Sequence, residues 1–139
     1  MIATETATRY WKTRHETYGP GWAEHYWESW RAPHRQQIVR ALERIGPWSS
    51  LLELGCGPGA NLRLIHGRWP GARLHGVDGN AEALAFADAR MKELECDDRI
   101  ALNYGRIHEE FPRDAAGYDV VLACYALAYL DRLDVLRAL

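Results

Sequence analysis

The chain has 139 residues, with 17 Lys and Arg against 19 Asp and Glu, 47% hydrophobic residues and a formal net charge of −2. Such a length holds one domain with one modest core, the composition is that of a soluble globular protein, and the charge balance lacks the basic excess of a nucleic-acid binder. No apolar run reaches membrane-spanning length, the opening Met-Ile-Ala-Thr-Glu-Thr-Ala lacks the basic and apolar regions of a signal peptide, and three cysteines without CxxC spacing argue against a disulfide framework or a metal site and for reduced thiols in a cytoplasmic protein.

Residues 1–9 show no apolar period and read as a frayed tail. Between residues 10 and 30 stand Tyr10, Trp11, Tyr18, Trp22, Tyr26, Trp27 and Trp30, interrupted by Gly19-Pro20-Gly21. The Gly-Pro-Gly predicts a turn, and residues 22–31 then fit a short helix. So many aromatics make this segment either an anchor docked on the main core or a lid with flat apolar walls over a ligand. Residues 1–32 are accordingly expected to form an aromatic-rich tail and lid helix, and residues 33–139 the main domain. Pro33 suits the first turn of a second helix running to about Ile45, with Ile38, Val39, Leu42 and Ile45 as its apolar stripe. Gly46-Pro47 stops it.

A first strand is predicted over 51–54, a helix over 60–67 and a second strand over 72–77. Asn80 is placed to cap the next helix, where Leu84, Ala87, Met91 and Leu94 share one face. Cys96-Asp97-Asp98 reads as a polar turn. Residues 100–104 form a third strand, 105–113 a loop, and 118–124 a fourth strand so apolar that it is expected to be central in a sheet. A last helix starts at Asp131. Alternating strands and helices predict an α/β fold with a parallel sheet, and right-handed crossovers give the strand order 3-2-1-4. A ligand would then bind where the winding reverses, at the carboxyl ends of strands 1 and 4.

Gly55, Gly57 and Gly59, with Cys56 and Pro58 between them, stand at that place. Alternating glycines let the chain turn sharply and let a ligand approach the backbone. The acid before them, Glu53, would attract a cation and repel a pyrophosphate, which favours S-adenosylmethionine, with its ammonium and sulfonium, over a dinucleotide. Asp78 lies 21 residues beyond Gly57 at the end of the second strand, where it suits the two hydroxyls of a ribose. Gly55, Gly57 and Ala60 also satisfy a loose dinucleotide pattern, so a nicotinamide-dependent oxidoreductase stays open at this point.

Leu51-Leu52-Glu53-Leu54-Gly55-Cys56-Gly57-Pro58-Gly59, followed by Val77-Asp78 and Tyr118-Asp119-Val120-Val121, resembles the class I S-adenosylmethionine-dependent methyltransferases of the small Rossmann-like type. The resemblance covers about residues 33–139. It implies that Glu53, Gly55, Cys56, Gly57, Gly59 and Asn61 hold the methionine part of the cofactor, that Asp78 holds the ribose, and that Gly79 and Asn80 flank the adenine. By the same resemblance Arg106 and Ile107 touch the adenine edge, although many relatives have an Asp where Arg106 stands. Cys124 and Tyr125 would face the methyl group, and Trp11 and Arg14 would cover the cofactor carboxylate. Tyr125, Tyr129 and His15 are candidate catalytic groups. Relatives continue with a fifth strand and a hairpin, so the fold is expected to be truncated after the fourth strand and its helix. Either the chain is then a fragment of a longer protein, or strand 4 pairs with another chain, in a homodimer or with a partner. The function expected is methyl transfer to a small molecule, the rival being an inactive or partner-dependent cofactor-binding domain.

Overall fold

The computed structural model describes residues 9, 12–13, 16–17, 19–105 and 117–124. Residues 1–8 of the expected tail, most of the loop over 105–113 and the helix from Asp131 lie outside the described residues, as do Trp11, Arg14, His15, Arg106, Ile107, Tyr125 and Tyr129.

A single 3-10 turn at Gly19–Gly21 leads into α1 (Trp22–Glu28), and a second at Ser29–Arg31 links α1 to α2 (Pro33–Arg44). Then follow β1 (Ser50–Leu54), α3 (Ala60–Arg68), β2 (Arg73–Asp78), α4 (Ala81–Glu93), β3 (Ile100–Tyr104) and β4 (Val120–Ala123). The strands form one parallel sheet in the order β3-β2-β1-β4, as the crossover rule predicts. Pro33 supplies the first turn of α2, where its missing N–H costs nothing. The Asn80 side chain caps α4 by accepting from the N–H groups of Glu82 and Ala83.

β1 is flanked on both edges and all five of its residues are buried. Alternation along it divides the core in two. Leu51 packs with Leu74 of β2, Ile100 of β3, Leu62 and Ile65 of α3, Met91 of α4, Leu42 of α2 and Trp27 of α1. Leu52 and Leu54 turn to the other face, with Val77, Tyr118 and Ala123. Full burial of each such side chain is worth about 1.5–3 kcal/mol. Glu53, two residues from Leu51, therefore points into the face covered by α2 and α3.

The part of the aromatic segment from Trp22 onward is seated on this body. Trp22 and Trp27 are buried; Trp22 packs with Ala83 of α4, and Trp27 meets Phe86 edge-on at 6.3 Å between ring centres. The Arg63 guanidinium of α3 lies 4.7 Å from the Trp27 ring centre and 4.9 Å from that of Trp30, a cation–π arrangement that ties α1 to the start of α3.

Several expectations are corrected. Among the described residues β4 stands last in the sheet, as the order 3-2-1-4 requires, and Val121 is 45% exposed there. On α2 only Leu42 of the predicted stripe is buried, and Ile45 is 60% exposed because it caps the helix beyond the last packed turn. Leu94, likewise past the end of α4, is exposed. Cys96 is buried in the core, its thiol donating to the Met91 carbonyl at 3.5 Å, although acidic residues follow it in sequence. All three cysteines are free thiols. No helix among the described residues is long and apolar enough to cross a membrane.

Candidate functional site

The carboxyl ends of β1, β2 and β4 meet at one edge of the sheet, and the polar groups on this edge come from the glycine loop and its neighbours. Gly55, Gly57 and Gly59 all take positive φ, at 75°, 52° and 93°. The N–H groups of Gly55 and Cys56 donate to the Val77 carbonyl at 2.7 and 3.1 Å, which pins the start of the loop to β2. A Cβ on Gly57 would meet nothing within 4 Å, so the loop is open on that side. Beneath it there is no room. A Cβ on Gly76 of β2 would lie 2.7 Å from both Cys56 Sγ and Leu62 Cδ1. Gly76, which nothing in the sequence motif marks, lets the loop sit directly on the strand.

Asp78 fastens the loop from the side. Its Oδ2 accepts from Gly57 N–H at 2.8 Å and its Oδ1 from Asn80 N–H at 2.8 Å. Each carboxylate oxygen has two acceptor positions, so one on each remains for the adjacent hydroxyls of a sugar. Burial raises the Asp78 pKa and the two backbone N–H bonds oppose that rise.

Glu53 is 1% exposed. Its Oε1 accepts from Asn61 Nδ2 of α3 at 2.7 Å, while Oε2 is buried and has no hydrogen-bond partner. Burial lifts its pKa to about 8; the Asn61 bond and the Arg35 charge pull it down, and the Asp78 charge pushes it up. An unpartnered buried carboxylate oxygen costs free energy, and a cation placed against it would remove that cost. The donor set thus fits a ligand carrying an ammonium and a ribose.

Asn61 is itself buried. Its Oδ1 accepts from Arg35 Nη1 of α2 at 2.7 Å, so both ends of its amide are engaged within the protein and it positions Glu53. Arg35 was invisible in the sequence, since it lies 18 residues before Glu53 in a segment read only for its apolar stripe. Cys124, half-buried after β4, is raised in pKa first by burial and then by the Glu53 charge, with Arg35 and Asn61 acting against the rise. The structure therefore gathers Glu53, Gly55, Cys56, Gly57, Gly59, Asn61, Asp78, Gly79, Asn80 and Cys124 at one end of the sheet. The remaining candidates, Trp11, Arg14, His15, Arg106, Ile107, Tyr125 and Tyr129, are not among the described residues. Among the described residues no group of three or more His, Cys, Asp or Glu is disposed to hold a metal ion.

The chain is similar in sequence and fold to known proteins. A trans-aconitate 2-methyltransferase from Azoarcus sp. is 43% identical over 47 residues, 34% of this chain and 19% of that protein. One from Escherichia fergusonii is 30% identical over 77 residues, 53% of this chain and 30% of that protein. The chain thus spans less than a third of these curated relatives. The crystal structure of geranyl diphosphate C-methyltransferase from Streptomyces coelicolor, in complex with Mg2+, geranyl-S-thiolodiphosphate and S-adenosyl-L-homocysteine, superposes with a TM-score of 0.59 at 27% identity, covering 67% of this chain and 33% of that one. A family model described as a methyltransferase domain matches residues 52–139, well over half of the chain, and with its 3-2-1-4 parallel sheet the protein belongs to this family, with the Rossmann-like fold of class I S-adenosylmethionine-dependent methyltransferases.

Proposed function

We propose that the protein binds S-adenosylmethionine at the glycine loop and transfers its methyl group to a small-molecule acceptor. The observation that carries this reading is Glu53, a buried acid with one unpartnered oxygen at the carboxyl end of β1. Glu53 would meet the ammonium, the two remaining acceptor positions of Asp78 the ribose hydroxyls, and the open side of Gly57 the methionine chain. Gly79 and Asn80, just beyond Asp78, would border the adenine, with Arg106 and Ile107 beside them. Trp11 and Arg14 would lie over the cofactor carboxylate. When bound, S-adenosylmethionine supplies an electrophilic methyl group on a cationic sulfur. The task left to the protein is to hold the acceptor about 3–3.5 Å from that methyl, in line and away from water. Cys124, which follows β4, and the next residue in the sequence, Tyr125, would serve this position.

The curated relatives are trans-aconitate methyltransferases by name, and trans-aconitate is a tricarboxylate. A carboxylate oxygen carries no proton at neutral pH, so its methylation needs no general base; Tyr125, Tyr129 or His15 would serve as a base only for a protonated acceptor. A cytoplasmic setting belongs to the same reading, since all three thiols are free. β4, half-exposed and last in the sheet among the described residues, is the surface through which a second copy or a partner chain would add, and light scattering measures that assembly.

Incubation with S-adenosylmethionine labelled in its methyl group, against a panel of small di- and tricarboxylates that includes trans-aconitate, tests the activity. Labelled ester is the expected product. A chain that binds S-adenosylhomocysteine yet labels no acceptor in the panel would contradict transfer to this class of acceptor.

A further inference from the structure

Glu53 is the end of a continuous chain of hydrogen bonds that begins in the aromatic helix. Ser29 Oγ donates to the Tyr26 carbonyl of α1, Arg35 Nε donates to Ser29 Oγ at 2.9 Å, Arg35 Nη1 donates to Asn61 Oδ1 at 2.7 Å, and Asn61 Nδ2 donates to Glu53 Oε1 at 2.7 Å. Chemistry settles the orientation of Asn61. A guanidinium only donates, so the amide oxygen must face Arg35 and the amide nitrogen must face Glu53. With Oε1 accepting from that N–H, the proton of a neutral Glu53 belongs on Oε2, the oxygen without a partner. A ligand cation can take up its place at Oε2 only as that proton leaves.

The groups facing Glu53 come from every neighbouring element: Arg35 on α2, Asn61 on α3, Asp78 on β2, Cys56 in the glycine loop and Cys124 after β4. Burial pushes both thiols up, so they remain neutral. Arg35 is then the cation opposing Asp78 across the Glu53 carboxyl.

We propose that Arg35, acting through Asn61, is a positioning residue that sets how readily Glu53 gives up its Oε2 proton to solvent as the ammonium of the cofactor takes its place, so that cofactor binding releases a proton and is linked to the seating of the aromatic helix. This inference rests on the S-adenosylmethionine reading above. It accounts for an acid whose pKa stands near 8 at a place where a cation is to bind, and it gives a polar residue of α2 a role beyond joining helices.

Calorimetric titration with S-adenosylhomocysteine between about pH 6.5 and 8.5, in paired buffers of different ionisation heat, tests it on the full chain and on Arg35→Met, Asn61→Leu and Glu53→Gln. In the unaltered chain close to one proton leaves per ligand at the acid end, and affinity rises about tenfold per pH unit until it levels near pH 8. Glu53→Gln loses that proton release. Arg35→Met and Asn61→Leu shift the levelling point upward; a shift of one unit weakens binding about tenfold at pH 6.5 but only about threefold at pH 8.5. A purely structural role for Arg35 would weaken binding by one factor at every pH, and that result overturns the proposal, as does binding by the unaltered chain without proton release. If Arg35→Met fails to fold, Asn61→Leu and the proton count of the unaltered chain decide the same question. Failure of the unaltered chain to bind S-adenosylhomocysteine at any pH would instead remove the reading on which the inference rests.

Discussion

A carboxyl group 1% exposed, with one oxygen unpartnered, is a cost that the ligand-free fold carries, and its sign can be worked out. Unfolded Glu53 ionises near the ordinary glutamate value of 4.5, while in the folded chain burial holds its pKa at about 8. Between those values the folded state binds a proton that the unfolded state has lost, so stability falls by about 1.4 kcal/mol per pH unit, in total on the order of 5 kcal/mol above pH 8. Gln cannot ionise, yet its oxygen can still accept from Asn61. Glu53→Gln should therefore match the unaltered chain in Tm near pH 5 and exceed it increasingly up to pH 8, by scanning calorimetry without ligand. The same substitution should weaken S-adenosylhomocysteine binding roughly 10- to 100-fold, the worth of one charge-assisted hydrogen bond. Equal melting of the two proteins at pH 8 would show that the carboxyl is not held neutral. The sequence made Glu53 recognisable, because an acid before alternating glycines is a local pattern. It could not show Arg35, whose link to Glu53 runs through Asn61, 26 residues away in the chain.

At the scale of elements, the glycine loop depends on β2 as much as on its own glycines. Gly76 has no room for a Cβ against Cys56 and Leu62, whereas a Cβ on exposed Gly71 would meet nothing within 4 Å. Gly76→Ala should thus cost about 1–3 kcal/mol through overpacking and lower cofactor affinity by displacing Cys56 from between Gly55 and Gly57. Gly71→Ala should leave both nearly unchanged. Thermal melts and binding titrations on the pair check this contrast; equal behaviour would mean that the loop does not rest on the strand. Strand and helix positions were legible in the sequence wherever a period or a cap was strong, as at Ile100–Tyr104 and at Asn80 before α4. Gly76 was not, since its reason is a contact across the sheet with residues of the next layer.

On the scale of the whole molecule, the parallel order β3-β2-β1-β4 brings Glu53 and Asp78 to the same edge and lays α2 and α3 over Glu53. The switch point between β1 and β4 was predictable from the alternation of elements, and the family follows from it and from the glycine motif. Which cation meets Glu53 is the claim on which everything else depends. Titration of the full chain with S-adenosylhomocysteine and, separately, with NAD tests it most directly: the account predicts saturable binding of S-adenosylhomocysteine and none of NAD, and binding of NAD without S-adenosylhomocysteine would contradict it.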